Sequence, residues 1–185
     1  RVIHLMYGIS PDKIVRPAKQ ISELLRLGYV GGIDPIKGFA TIADALDLLP
    51  AGLPLQVRAI GGESLRDFIA HRSTKVQAYI DYRPPLFGPP LMAEHARLDA
   101  MLVPSIVHEN SPFAALESFA NGTPVLGSDH PGISHLIMPD HNGWLVEPGN
   151  PRAWARAFIE AVQHPARIRA MQINANFTRT TGEFV

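Results

Sequence analysis

Cysteine is absent from the 185 residues, which excludes disulfides and thiolate chemistry and fits a reducing compartment. Net charge is absent as well. The 17 Lys and Arg balance 17 Asp and Glu, so the overall field points neither to nucleic acid nor to an anionic membrane. No apolar run approaches the length of a membrane span and the N-terminus has no signal-peptide pattern, so no transmembrane segment and a cytoplasmic location are expected. The G-x-G-x-x-G dinucleotide fingerprint, the P-loop, internal repeats and low-complexity tracts are all missing. The chain starts with Arg rather than Met, and the expectation is that it is cut from something longer. Two glycosylation sequons, Asn121-Gly122-Thr123 and Asn176-Phe177-Thr178, read as chance, the first serving better as a helix stop.

What is present is a chain 46% hydrophobic, long enough for one well-filled domain and short for two. Strand-like apolar runs alternate with helical patterns, the signature of α/β architecture: a single Rossmann-like, doubly wound parallel sheet with helices on both faces. Strands are predicted at 27–31, 55–60, 76–80, 100–103, 124–126 and 144–146. Helices are predicted at 38–49, 63–71, 91–97, 112–120 and, briefly, 133–137. A terminal helix opened by Asn150-Pro151 follows, with Trp154, Phe158, Ala161 and Val162 inward, and another at 168–173. The domain reading is a lead-in or interdomain connection at 1–26, a Rossmann-like domain at 27–163, and a C-terminal helix and tail at 164–185. Several predicted strands end in glycine (Val30-Gly31-Gly32, Ile60-Gly61-Gly62, Leu126-Gly127), where the backbone turns tightly or approaches a ligand.

The richest segment is HENSPFAALESFANGTPVLGSD, residues 108–129. Ser111 is suited to cap a helix, Pro112 to its first turn and Asn121-Gly122 to its left-handed stop. Phe113, Leu116 and Ala120 then form a core-facing stripe, and the side carrying Ala114 and Phe119 is hardly more polar. Glu117 is the one ionisable group in that helix, and a buried carboxylate without a partner is costly. It snorkels to solvent, pairs with a rim arginine, or meets ligand hydroxyls. The residues before the helix, a short buried strand and a loop ending at His108-Glu109, favour a ligand, because parallel sheets bind at the carboxyl ends of strands and helix starts receive anions.

In this order, the motifs resemble those of the C-terminal domain of family 4 retaining glycosyltransferases, two-domain enzymes that use nucleotide-sugar donors. An acid, seven residues and a second acid recur at that family's donor site, matched here by Glu109 through Glu117. The resemblance extends over residues 27–163, taking in Tyr29 to Gly38, Leu98 to Ser105, Ala120 to Leu126, Pro131-Gly132-Ile133 and Asn142 to Val146. It implies that Glu117 takes the ribose hydroxyls. It also implies that Glu109, Asn110 and the backbone N–H groups over Ser111–Phe113, with Pro112 between them, lie against the donor sugar and phosphates, with Gly31 and Gly32 at the loop beside them. Lys37 would hold the pyrophosphate and offset charge on the leaving nucleotide, so Glu109 and Lys37 are the implied catalytic residues. The implied substrate is a nucleoside-diphosphate sugar, with no cofactor and no metal. The implied partner is an N-terminal acceptor-binding domain of the same protein.

Two positions depart from the family pattern. Where members usually carry an arginine after the first glycine of the loop, this chain has Gly32, with Arg58 and Arg83 as conceivable substitutes. After Gly132, where an acid is common, it has His135. Competing readings are a non-catalytic sugar-nucleotide-binding module, an epimerase or phosphorylase on the same architecture, and a metal-dependent hydrolase built on His108, Glu109, His130, His135 and His141. No pair of these shows the i, i+4 spacing with an intervening acid that zinc hydrolases use.

Overall fold

The computed structural model describes residues 23–107 and 112–175. Six strands, β1 (Leu25–Val30), β2 (Leu55–Ile60), β3 (Ile80–Arg83), β4 (Ala100–Val103), β5 (Val125–Ser128) and β6 (Gly143–Val146), form one sheet in the order β3-β2-β1-β4-β5-β6. Every pairing is parallel. The helices are α1 (Phe39–Asp47), α2 (Glu63–Ala70), α3 (Thr74–Tyr79), α4 (Pro89–Arg97), α5 (Phe113–Ala120), α6 (Pro151–Gln163) and α7 (Pro165–Asn174). This is the doubly wound α/β fold that the alternation predicts. Its strand order reverses between β1 and β4, the point at which such sheets open a crevice.

Side-chain alternation splits the core between the two faces. Ala100 and Leu102 join Leu27, Phe39, Ile42, Trp154 and Phe158 on one side, while Met101 and Val103 join Leu116, Phe119, Val125 and Ile133 on the other. Trp154 and Phe158 have no exposed surface, and truncating either to alanine costs about 3–5 kcal/mol on general grounds. Helix α7 contributes Ile168 and Met171 to the same core, and β1 begins at Leu25. Among the described residues no helix is long and apolar enough to cross a membrane.

Four local expectations are corrected. The run 76–80 is not a strand: Ser73 accepts from the Val76 N–H at 3.3 Å and starts α3, which buries Val76 and Tyr79. The third strand is β3, whose residues Ile80, Asp81 and Tyr82 are only half-buried, as suits a sheet edge, so it lacks the apolar alternation of an inner strand. Residues 131–136 form successive turns rather than a helix, held by bonds such as Ile133 N–H to the His130 carbonyl (3.2 Å) and Leu136 N–H to that of Ile133 (2.9 Å). Helix α5 starts at Phe113, with Pro112 extended at its cap position. Phe113 is 53% exposed rather than core-facing, because only the later part of α5 is enclosed: residues 115–120 are all buried.

Candidate functional site

The loop after β1 is built residue by residue. Gly31 N–H bonds the Ile60 carbonyl at 3.0 Å, and the Tyr29 hydroxyl donates to the Gly32 carbonyl at 2.6 Å, pinning the turn. Asp34 then accepts from Ile36 N–H at 3.0 Å and, with Pro35 in the first position, starts a single 3-10 turn ending at Lys37. Gly38 follows with φ +73, and a Cβ there would meet the Pro104 carbonyl oxygen at 1.9 Å. Only glycine allows this approach. The Ile106 N–H to Ile36 carbonyl bond, 2.9 Å, closes the same seam between the loops after β1 and β4.

Lys37 is thereby held, half-buried, on the wall of a small cleft of about 40 Å³ at the switch point. Tyr29 and Val30 line it from β1, Leu102 to Ser105 from β4 and its loop, and Pro112 and Ala114 from the start of α5. The N-terminal end of α5, where helix amides and the positive end of the dipole lie, therefore borders the same space as Lys37. A cation and a helix start converging on one cleft form a receptor for an anionic group.

Glu117 sits one turn further along α5, 8% exposed, and does not line that cleft. Its Oε2 lies 3.8 Å from Nε2 of His95, a fully buried residue of α4. His95 Nδ1 is 2.8 Å from Ser118 Oγ, which itself donates to the Ala114 carbonyl at 2.6 Å. Asn121 Nδ2 donates to the Glu117 carbonyl at 2.7 Å, and Thr123 Oγ1 to that of His95 at 2.6 Å. The left-handed Gly122 (φ +70) ends α5, with Thr123 N–H bonded to the Ser118 carbonyl at 2.9 Å. Sequence reasoning missed His95. The available signal was its place three residues after Met92 and four after Leu91, on the apolar side of a short helix.

Of the residues singled out in the sequence, Lys37 and Pro112 share the cleft, Gly31 and Gly32 follow Val30 at its edge, Phe113 is exposed beside it, and Glu117 is buried behind it. Glu109, Asn110 and Ser111, with His108, lie outside the described residues. Arg58 and Arg83, the substitutes considered for a phosphate-binding arginine, are both engaged with acids. Arg58 bonds Asp81 at 2.8 Å and Glu94 at 2.5 Å, and Arg83 bonds Asp81 at 3.1 Å. Burial alone lowers the Arg58 pKa, but Glu94 and then Asp81 outweigh it and leave it above the ordinary value. A Cβ on Gly32 would meet nothing within 4 Å.

His130 places Nε2 2.9 Å from the Ser105 carbonyl and Nδ1 2.8 Å from that of Pro131, tying the β5 loop to the cleft floor, while His135 and His141 are exposed. Among the described residues no three His, Asp or Glu side chains gather as a metal site. A wider hollow of about 500 Å³ lies between the end of α1 and the start of α6. Its acids are already engaged, Asp47 with Ser73 (2.7 Å) and Asp44 with Arg72.

Fold and cleft together define the class: a Rossmann-like α/β domain with a cleft at the switch between β1 and β4, where such sheets open a crevice. A family model described as glycosyl transferases group 1 matches residues 12–178, and the chain belongs to that family. It is 27% identical over 206 residues to a D-inositol 3-phosphate glycosyltransferase of Rhodococcus erythropolis, an alignment taking in 95% of this chain and 46% of that protein. The chain thus spans about half the length of this curated relative. Among solved structures it resembles Anabaena Alr3699/HepE in complex with UDP (TM-score 0.72, 18% identity, 83% of this chain and 43% of that one). It also resembles the C-terminal domain of the group 1 protein LpcC of Francisella tularensis (TM-score 0.74, 18% identity, 91% of this chain and 94% of that one).

Proposed function

We propose that this chain is the donor-binding half of a retaining glycosyltransferase of family 4. The enzyme moves a sugar from a nucleoside-diphosphate sugar to an acceptor held by an N-terminal domain. The observation that carries the reading is the cleft itself, in which Lys37 and the start of α5 face one space at the strand-order switch. Lys37 and the α5 amides hold the donor diphosphate and offset the charge that grows on the leaving nucleotide. Glu117 accepts hydrogen bonds from the ribose hydroxyls, and Glu109, with Asn110 and Ser111, lies against the donor sugar. The D-inositol 3-phosphate glycosyltransferase relatives and the UDP-bound neighbour support this class of chemistry. The relative's roughly double length supports a second domain. On this reading the chain alone binds nucleotide weakly and transfers nothing, the donor is the only small-molecule requirement, and the site of action is the cytoplasm.

Calorimetric titration of the protein with UDP, GDP and ADP tests the reading, with Glu117→Ala as the control. Binding lost in the variant, with its thermal unfolding unchanged, supports it; unchanged affinity sinks the assignment of Glu117. Gly32 in place of a phosphate-binding arginine favours a second reading, a binding module without activity. That reading wins if the intact protein binds a nucleotide-sugar but neither hydrolyses it nor transfers from it.

A further inference from the structure

Behind Glu117 stands a polar arrangement that the donor reading leaves unused. His95 has no exposed surface, and its surroundings fix both its backbone and its ring. Its carbonyl accepts from Thr123 Oγ1 at 2.6 Å, and its Nδ1 lies 2.8 Å from Ser118 Oγ. A serine hydroxyl has one proton, and that of Ser118 is directed to the Ala114 carbonyl at 2.6 Å. The hydroxyl is therefore the acceptor toward the imidazole, so Nδ1 carries a hydrogen and donates. The Nε2 edge is thereby turned toward Glu117 Oε2, 3.8 Å away. That separation is too long for a hydrogen bond, and with the ring hydrogen on Nδ1 the Nε2 edge presents its lone pair to the carboxylate and limits how closely Oε2 approaches. The backbone of Glu117 is held as well, by Asn121 Nδ2 on its carbonyl at 2.7 Å. With the backbone held on this side, the Nε2 edge of His95 borders the Glu117 carboxylate from α4.

Resting on the reading that Glu117 receives the ribose, we infer that His95 is a positioning residue for nucleotide recognition. Its Nε2 edge sets the direction in which Glu117 presents its oxygens, and so makes the site select a ribose over a 2′-deoxyribose. His95 touches no substrate. It acts through Glu117, while Ser118 and Thr123 hold the ring in place.

Two substitutions separate this role from simple packing. Asn in place of His95 keeps a donor near the Nδ1 position, for Ser118, and removes the Nε2 edge; Gln can return an amide near the Nε2 position. Affinities of the intact protein for UDP, GDP and ADP and their 2′-deoxy counterparts are measured by calorimetry in wild type, His95→Asn, His95→Gln and Glu117→Gln. The wild-type ratio of ribose to deoxyribose affinity should be about tenfold or more, as befits a hydrogen bond to a charged group. It should collapse toward one in Glu117→Gln and His95→Asn and be largely kept in His95→Gln. A purely structural His95 gives the opposite order, because Asn preserves the 2.8 Å contact with Ser118.

If Glu117→Gln loses the ratio while His95→Asn retains it, the inference falls and the donor site stands. If Glu117→Gln keeps the ratio, or none of the six nucleotides binds, the reading of Glu117 falls and the inference with it. Should either His95 variant fail to fold, wild-type protein labelled with ¹⁵N-histidine decides the matter. The His95 Nε2 resonance should shift when the ribonucleotide saturates the site, and an unmoved resonance at saturation overturns the proposal.

Discussion

A Cβ on Gly38 would stand 1.9 Å from the carbonyl oxygen of Pro104, so the loops after β1 and β4 touch backbone to backbone at the switch point. This contact, at a residue with φ +73, fixes the turn that carries Lys37 into the cleft. Gly38→Ala adds left-handed strain to a clash that no side-chain rotation relieves. It should destabilise the protein by about 3 kcal/mol or more, lowering Tm by roughly 6–12 °C in scanning calorimetry. A fall of less than about 2 °C would mean that the loops part easily and that this contact does not build the cleft.

Lys37→Ala should separate the two halves of a nucleotide. If the ammonium holds the diphosphate, affinity for UDP falls about 10- to 100-fold, the loss of one charge-assisted bond, while affinity for uridine stays the same. Titration of both ligands at low and moderate salt measures this. Equal losses for nucleoside and nucleotide would assign Lys37 to the architecture of the loop instead.

The inner strands and long helices were legible because they bury regular patterns. Leu55–Ile60 is a strand at both ends as predicted, and Asn150 caps α6 through bonds from Arg152 and Ala153 N–H at 3.0 and 3.2 Å. The failures fall where local chemistry overrides pattern. Val76, Ala78 and Ile80 alternate like a strand, yet the Ser73 cap makes a helix of the first two, and the true edge strand hides in the polar run Ile80–Arg83. Phe113 matched the buried stripe by spacing, but burial on α5 depends on depth along the axis, and the first turn opens at the cleft mouth.

The site was half legible. Pro112 and Glu117 stand out through a local rule, a helix start and an acid in an apolar helix, whereas Lys37 entered only through the family resemblance, and the capped turn that carries it is seen in the fold. His95 carries its meaning only in the tertiary structure, because its partners Ser118 and Glu117 are more than 20 positions away and belong to another helix. The same holds for Arg58. In the sequence it is a free cation near a glycine turn, and in the fold Asp81 and Glu94 engage it.

Gly32 offers a gain-of-function test. It is exposed, its φ is outside the left-handed region, and a Cβ would meet open space, so a side chain fits without strain. Gly32→Arg should leave Tm within about 2 °C, as surface changes do. It should raise affinity for nucleoside diphosphates about 3- to 30-fold, the value of a charge-assisted bond less the entropy of ordering the side chain. Calorimetry of wild type and variant with UDP and GDP measures it. No gain would mean that the loop does not face the phosphates.

Far from the cleft, Asp140 gives a prediction about pH. Hydrogen bonds from Arg167 and then from Trp144 Nε1 (2.8 Å), with the Arg167 charge beside it, hold its carboxyl below the usual range. Arg167 also lies over the Trp144 ring, 4.8 Å from its centre, so the pair fastens α7 to β6. A lowered folded-state pKa means that the unfolded chain takes up the proton first as pH falls. The stability that the pair contributes is therefore present above the unfolded value, near 3.9, and lost as pH drops through the folded one. Asp140→Asn isolates that charge, since asparagine also accepts the left-handed φ of 63 and can keep the bond from Trp144. The pair is largely exposed, so solvent screening limits its value to about 1 kcal/mol or less, or roughly 2–4 °C in Tm. Wild type should therefore unfold a few degrees above the variant at pH 7, and the two melting curves should converge below about pH 4. A gap that persists at pH 2 would mean that the carboxylate charge is not what holds α7 in place.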